Sequence, residues 1–406
     1  MAASLIVWGA GDLYFIASVI IAILFGILST DIQSQLQLSS AEVGLLGSAF
    51  FLSYGVAQLI AGGLLDSWGP RLTLTGSALL AAGGIFLLST SHGFTQAFAA
   101  QVLTGIGLST SYVGAVYLAG VWFPANRFAL VSGITQMSAS LASTILILGM
   151  VLSGALVSFR SIMGVGAIVV LVIALLMLVV VRQPAESKDK GSKTKGAGFW
   201  KDLQTLVRMP QFWTATVYFS TSFGVLMAFS NLWNVPSALA YGHPITLAAS
   251  MGSMIPFGCA LGAAIAGWLA GRLGRCSIVA RYFLVGMVLF GCALVYGPVY
   301  LIPVDFLLLF GWGFFLGGSV LGFALVGQNI SGALKGTGFG LMASIAYLVS
   351  ALLQYLVGLF LEIRVAAGAE PVPAFKVALT PLIITLVIGL ACSFLLRDPK
   401  PARSSK

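Results

Sequence analysis

The stretch AGGLLDSWGPRLTL (residues 61–74) sets one acid, one base and a glycine–proline pair between two long apolar runs. Polar groups are scarce elsewhere: of 406 residues, 59% are hydrophobic and only 8% charged. A soluble domain carries about 25% charged residues, so this chain could not cover itself with a polar surface and reads as an integral membrane protein. Apolar runs of about 20 residues, enough to cross a bilayer as helices, recur twelve times. They lie near 5–29, 40–66, 71–91, 95–122, 126–156, 159–182, 210–239, 245–271, 277–299, 302–329, 336–363 and 374–396. The quoted stretch is the short loop between the second and third. The first run lacks a basic leader and a small-residue cleavage pattern, and reads as a retained span.

The charge distribution orients these spans. An even number of spans puts both termini on one side, and of the 20 bases only Arg160, Arg364 and Lys376 fall on the other. Basic residues stay cytoplasmic during insertion, so both termini are expected in the cytoplasm, with a bacterial inner (plasma) membrane as the location. The net charge of +9 thereby sets topology and implies no nucleic-acid partner. Cys259, Cys276, Cys292 and Cys392 have neither metal-site nor disulfide-framework spacing and read as packing residues. No cofactor and no metal are expected, and a monomer is.

The chain divides into two halves. Residues 183–209 are its one long polar segment, a cytoplasmic linker. Phe199, Trp200, Leu203, Leu206 and Val207 share one face there, as in a short helix lying on the membrane surface. The expected units are 1–182 and 210–396, each a six-helix bundle, with a cytoplasmic tail at 397–406. Short stretches recur between the halves: Gly47–Ser48 as Gly252–Ser253, AGGLLDSWG (61–69) as AGWLAGRLG (266–274), and LTGIG (103–107) as LFGWG (309–313), all offset by 205 or 206. Parallel six-helix repeats are a transporter architecture with a site between the halves. Spans 3, 6, 9 and 12 carry little that is polar and read as outer supports; the others should surround a path, since polar groups avoid lipid.

Gly62, Leu64, Asp66, Gly69 and Arg71 stand at the positions of the G-x-L-a-D-x-x-G-x-[RK] signature, and the loop resembles that of the major facilitator superfamily. The resemblance covers essentially the whole chain. It implies an all-α membrane protein of twelve transmembrane helices in two pseudo-symmetric bundles. It further implies a carrier of small molecules working by alternating access, with this loop as a cytoplasmic latch made in the outward-open state. Asp66 would face the positive N-terminal end of span 11, near KGTGFG (335–340). Gly62 would permit close helix approach, and Gly69 with Pro70 would make the turn. In the second copy Gly271 replaces the acid. Gln101 occupies the place of an arginine frequent in the fourth span, and the Gly-Pro motif typical of drug/proton antiporters is missing from span 5. Span 7 and the stretch LAGVWFPANRFALVSGITQ resemble a broad bacterial subgroup, distantly similar to lysosomal dipeptide carriers.

The candidate cavity set is Tyr14, Tyr54, Gln58, Gln101, Tyr112 and Gln136 from the first half. Tyr218, Asn231, Trp233, Trp312, Gln328, Tyr347 and Gln354 come from the second. Amides and rings without a mid-span base suit a neutral or zwitterionic solute such as an amino acid or short peptide, because a desolvated anion needs a cation. Arg160, Arg281 and Arg364 are the bases that could reach inward. Asp12 is the one acid inside a span, roughly 12 Å deep at 1.5 Å per residue. It is a candidate proton or cation site, or a headgroup residue if span 1 starts later. His92 and His243 read as turn residues, and Ser39 with Glu42 as a capping box. An exporter of a siderophore or drug-like compound is the alternative within the class. A non-transporting scaffold or membrane-embedded enzyme is the alternative outside it. Neither an H-E-x-x-H motif, a Cys/His pairing nor a mid-span acid pair supports an enzyme.

Overall fold

The computed structural model describes residues 2–123, 131, 134–135, 138–139, 141–143, 145–146, 149, 158–182, 203–298, 301–329 and 335–398, without the side chains of Ala2, Asp66, Ser67, Gln328, Asn329, Lys335 and Gly336. Among these residues the chain is helical, with no strand. The first half comprises α1 (Ala2–Ile27), α2 (Ser29–Leu36), α3 (Ser40–Ser67), α4 (Gly69–Ser89), α5 (Phe94–Leu108), α6 (Ser111–Trp122) and α7 (Phe159–Val180). The second comprises α8 (Pro210–Ala228), α9 (Asn234–Ala240), α10 (Ile245–Gly252), α11 (Met254–Leu273), α12 (Cys276–Tyr296), α13 (Ile302–Leu316), α14 (Leu321–Asn329), α15 (Lys335–Ala366), α16 (Pro371–Ala378) and α17 (Thr380–Ser393).

Eleven segments of this set are long and apolar enough to cross a membrane, matching eleven of the twelve runs. The fifth run, 126–156, lies mostly outside the described residues, as does 183–202 of the polar segment. Several spans are broken helices. The fourth (α5–α6) turns at Ser109–Thr110, the seventh (α8–α9) contains a π-turn at Phe229–Trp233, and the tenth (α13–α14) narrows to a 3-10 turn at Gly317–Val320. Such interruptions expose backbone groups and persist in a membrane only where protein or a water-filled space surrounds them.

The two halves share a set of mirrored ties. Tyr14 in α1 donates its hydroxyl to Gly107 O at 2.6 Å, and Tyr218 in α8 donates to Gly318 O, also at 2.6 Å. Both tyrosines are fully buried. Four bases repeat the theme at helix C-termini, whose last carbonyls lack intrahelical donors. Near the chain termini, Arg71 reaches Leu178 O (2.6 Å) and Arg281 reaches Ser393 O (3.1 Å). At the opposite, distal end, Arg160 reaches Ser89 O (3.3 Å) and Lys376 reaches Gly297 O (2.6 Å). Each pair binds the third helix of its half to the sixth. Two acids act conversely: Asp31 accepts the Phe159 N–H at 2.7 Å and Asp398 the Ser277 N–H at 2.9 Å, capping α7 and α12. Arg160 and Arg281 therefore spend their charge on helix ends and do not point into a path.

Burial follows the polarity of the spans only in part: the third, expected outside, is 56% buried, and the eighth, expected to face a path, is the least buried of those described. The sixth and twelfth are 33% and 39% buried, against 67% and 72% for the first and seventh. The eighth span is more exposed still, at 28%, presenting Phe257, Leu261, Ile265 and Trp268 outward at near-helical spacing. None of the four cysteines forms a disulfide.

Removing one buried tyrosine hydroxyl costs about 1 kcal/mol, somewhat less inside a bilayer. Tyr14→Phe and Tyr218→Phe should each lower the melting temperature in detergent by about 1–3 °C. Because the two environments mirror one another, the shifts should be equal within error. Differential scanning fluorimetry measures both, and a large loss at one site alone would contradict the mirrored roles.

Candidate functional site

The seam between the halves is set by α3 against α15, which run antiparallel. From the distal end inward, Ala41 lies on Glu362, Gly44 on Gly358, Ser48 on Ala351, and Gly55 on Ser344 and Tyr347. Ser48 Oγ donates to Ala351 O at 2.5 Å. A Cβ on Gly358 would collide with Ser40 O, and one on Gly44 with Gln354 O. Helices in lipid gain no hydrophobic drive to associate, so close backbone approach through small residues has to hold them. A Cβ on Gly62 or on Gly340, by contrast, would meet nothing within 4 Å. The close contacts of the two helices thus lie toward the distal end, while Gly62 and Gly340, toward the end that carries the termini, face open space.

Within the zipped part lies a small cavity of about 10 Å³, room for roughly one water, lined by Ile21, Ala22, Phe25, Gly47, Phe50, Phe51, Gln101, Asn231 and Gln354. Gly47 is seven residues into α3, so the cavity sits roughly 10 Å below the distal helix end. None of its described lining residues is charged. Its polar groups are three amides from three elements: Gln101 from α5, Asn231 from the π-turn and Gln354 from α15. Gln354 is fully buried, yet neither amide atom has a hydrogen-bond partner, and Nε2 of Gln101 is also unpartnered. Asn231 donates to Met227 O at 3.0 Å. The π-turn swings Asn231 into the seam, where a Cβ on Gly26 would strike its carbonyl. Trp233 fixes the wall from behind, donating Nε1 to Gln354 O at 3.1 Å.

An aromatic layer closes the side of the cavity facing the termini. Phe51 stacks on Tyr347 (centroids 5.9 Å, 14° between planes), Tyr54 tilts against Tyr347 at 4.7 Å, and Phe223 meets Tyr347 edge-on at 5.6 Å. These rings come from both halves and span the seam.

The candidates named from sequence thus separate into groups. Gln101, Asn231 and Gln354 line the cavity, Trp233 supports it, and Tyr54 with Tyr347 lies in the aromatic layer. Gln58 is buried with Oε1 unpartnered. Tyr14 and Tyr218 belong to helix packing, as described above. Tyr112 packs on Phe15 at 5.0 Å. Trp312 is buried against Phe229 at 4.8 Å, with its Nε1 unpartnered. Gln136 and the side chain of Gln328 lie outside the described residues. Sequence reasoning missed Ile21, Ala22, Phe25, Phe50 and Phe51, whose apolar character gave no signal, and Gly47, which enters there only through its repeat with Gly252.

Asp12 is 7% exposed and accepts from Ser138 Oγ at 2.9 and 3.1 Å. One turn earlier Trp8 Nε1 donates to Thr135 Oγ1 at 3.1 Å. Among the described residues no base forms an ion pair with Asp12. In the signature loop, Gly69 has φ +79°, a backbone that glycine adopts freely, and Arg71 is exposed apart from its bond to Leu178 O. Asp66 lies in the last turn of α3; its side chain is outside the described set.

Comparison with known proteins bears on this geometry. A family model described as the Major Facilitator Superfamily matches residues 13–353. A probable L-galactonate transporter of Escherichia coli (strain K12) is 35% identical over 97 residues, 24% of this chain and 21% of that protein. A probable nitrate/nitrite antiporter of Thermus thermophilus is 24% identical over 283 residues, 68% of this chain and 63% of that protein. In both, the matched stretch spans less than two thirds of the relative. Among solved structures, a bacterial homolog of the human lysosomal transporter Spinster, in an inward-facing and unoccupied conformation, superposes with a TM-score of 0.80. The two are 16% identical, and the match covers 99% of this chain and 98% of that one.

Burying an unpartnered amide costs about 1–3 kcal/mol. Gln354→Leu, close in size, should therefore raise the melting temperature of the ligand-free protein, by about 2–5 °C. A fall in that scan would mean the amide is already engaged in holding the fold.

Proposed function

The chain belongs to the Major Facilitator Superfamily, and from that premise we propose that it carries a small neutral or zwitterionic polar solute across the membrane by alternating access. It is a multi-pass membrane transporter, not an enzyme. The observation that carries the solute class is the amide set of Gln101, Asn231 and Gln354 around an uncharged cavity. Primary amides both donate and accept, so they match hydroxyl, amide or amino-acid groups without adding net charge. A desolvated anion costs several kcal/mol unless a cation faces it, and no described lining residue supplies one. The aromatic layer offers apolar faces that bound the solute.

The names of the two relatives concern L-galactonate and nitrate/nitrite, both anions, and they favour a second reading in which the carried species is acidic. Gln101 weighs against it, standing where a base is frequent in the family.

In the alternating cycle, the zipped distal seam and the open space at Gly62 and Gly340 support an inward-facing arrangement if the termini are cytoplasmic. The register set by Ala41–Glu362 and Gly44–Gly358, continued along the helices, brings Gly62 level with Gly340 and Asp66 level with the first turn of α15. Closure of that end would place the Asp66 carboxylate at free backbone N–H groups, a contact worth roughly 0.3–2 kcal/mol. That bias is large enough to populate the outward-open state and too small to lock it. Asp12, bonded to Ser138 and unpaired with any described base, is positioned as the proton or cation site of the first half.

The direct test is a thermal-shift screen of the purified protein against amino acids, short peptides, sugars, galactonate and nitrate, followed by counterflow in proteoliposomes. A neutral or zwitterionic solute should stabilise the wild type by mass action and lose that effect in Gln354→Leu. Stabilisation by the anions alone would overturn the solute class. Asp12→Asn should abolish concentrative uptake driven by a pH gradient while leaving counterflow intact; retained pH-driven accumulation would remove Asp12 from coupling.

A further inference from the structure

At the distal end of the seam, α3 begins with a capping box. Ser39 Oγ accepts the Glu42 N–H at 3.2 Å, and Glu42 Oε2 accepts the Ser39 N–H at 2.8 Å. The box does not serve the Ala41 N–H. That donor is taken by the other half of the molecule, at 3.1 Å from Oε2 of Glu362. Glu362 sits in the penultimate turn of α15, and the backbone contacts beneath it, Gly358 on Ser40 and Gly44 on Gln354, fix its distance from α3.

We infer that Glu362 is a positioning residue for the transport cycle: its carboxylate caps α3 across the seam only while the distal end is closed, and releases it when that end opens. The inference rests on the alternating reading given above. Its physical basis is the geometry of an antiparallel helix pair. α3 has its N-terminus at the distal end and α15 has its own at the opposite end. Each helix carries an acid near its C-terminal end, Asp66 on α3 and Glu362 on α15, level with the first turn of the other. Exchanging the two helices exchanges the two acids. One end can be capped in each state of the carrier.

The strength of the distal contact is limited in a useful way. The Glu42 carboxylate already occupies the same helix start, so Glu362 approaches a like charge. The Ala41 N–H, once released, is at a surface where water replaces its partner. Arg364, two residues on, does not compensate Glu362 through its Nε, which makes no hydrogen bond. The contact therefore biases the equilibrium without freezing it, and two matched biases at opposite ends keep both states populated. A carrier with only the Asp66 contact would be pulled one way.

The test needs no substrate. In a background with the four cysteines replaced, spin labels on His92→Cys and Ala367→Cys report the distal separation of the halves by electron–electron resonance. Glu362→Ala should raise the population of the longer distance about tenfold, and Glu362→Gln should raise it less. Glu42→Gln, which removes the like charge that Glu362 approaches, should not raise it. Unchanged distances in a monodisperse Glu362→Ala protein, while Asp66→Asn does shift the distribution, would overturn the inference alone. So would an equal rise of the longer distance in Glu42→Gln. A single unmoved distance in every variant, Asp66→Asn included, would overturn the alternating reading beneath it.

Discussion

The close backbone approach of α3 and α15 is the constraint from which the rest of the site follows. Lipid solvates apolar side chains as well as a neighbouring helix does, so the pair has to be held by van der Waals fit and by hydrogen bonds. Gly44, Ser48 and Gly55 on one side, with Gly358 and Ala351 on the other, supply the fit. That fit fixes the height of Gln354 relative to Gly47, which is what creates the cavity. It also brings Phe51 and Tyr54 of one half against Tyr347 of the other, so the aromatic layer bridges the seam. A larger residue at Gly44 would separate the helices, displace Gln354 and spoil the seal together.

The amides expose a tension between folding and binding. A buried polar side chain is ordinarily bonded, and most polar groups in this molecule obey: Ser29, Ser91, Thr104, Ser222 and Ser237 all bond backbone carbonyls. Gln354 and Gln101 depart from the rule beside the cavity, as do Gln58, Thr75, Thr110, Ser111, Thr216, Ser220 and Ser350 elsewhere among the described residues. Proteins tolerate such local cost where the group has work to do on something other than the fold. The location, with one amide from each of three elements in both halves, is what a bound solute would have to cross-link to report its presence to both.

Much of the fold was legible in the sequence because the bilayer permits so few solutions. Backbone groups in hydrocarbon must be bonded within the segment, so length and apolarity alone located eleven spans to within a few residues. The Ser39–Glu42 box was legible because it is local. Side-chain destinations were not. Tyr14 and Tyr218 looked like cavity residues, since a span tyrosine must direct its hydroxyl somewhere polar, and helical periodicity does not say whether that is a solute or the carbonyl of Gly107 or Gly318. Glu362 carried no signal at all, because its partner is a backbone N–H more than three hundred residues away. Phe50 and Phe51 were indistinguishable from any other apolar pair until the aromatic layer was assembled.

The internal repeat offers a way to separate these cases. A residue present in both halves at the same offset does a job that both halves need, which is to fold. Tyr14 and Tyr218, 204 apart, each tie the first helix of a half to the fourth, and Arg71 with Arg281 and Arg160 with Lys376 make like ties at helix ends from positions off that offset. The residues proposed for function lie where the repeat breaks. Asp66 has Gly271 at its counterpart and Gln101 has Leu307 at an offset of 206. Asp12 has Thr216 at an offset of 204. A binding site on a pseudo-twofold axis has to grip one asymmetric molecule, so matched residues such as Gly47 can shape its wall but cannot alone supply its specificity. The departures from symmetry are therefore where chemistry specific to this carrier is to be sought, and the matched pairs are the frame that holds them in place.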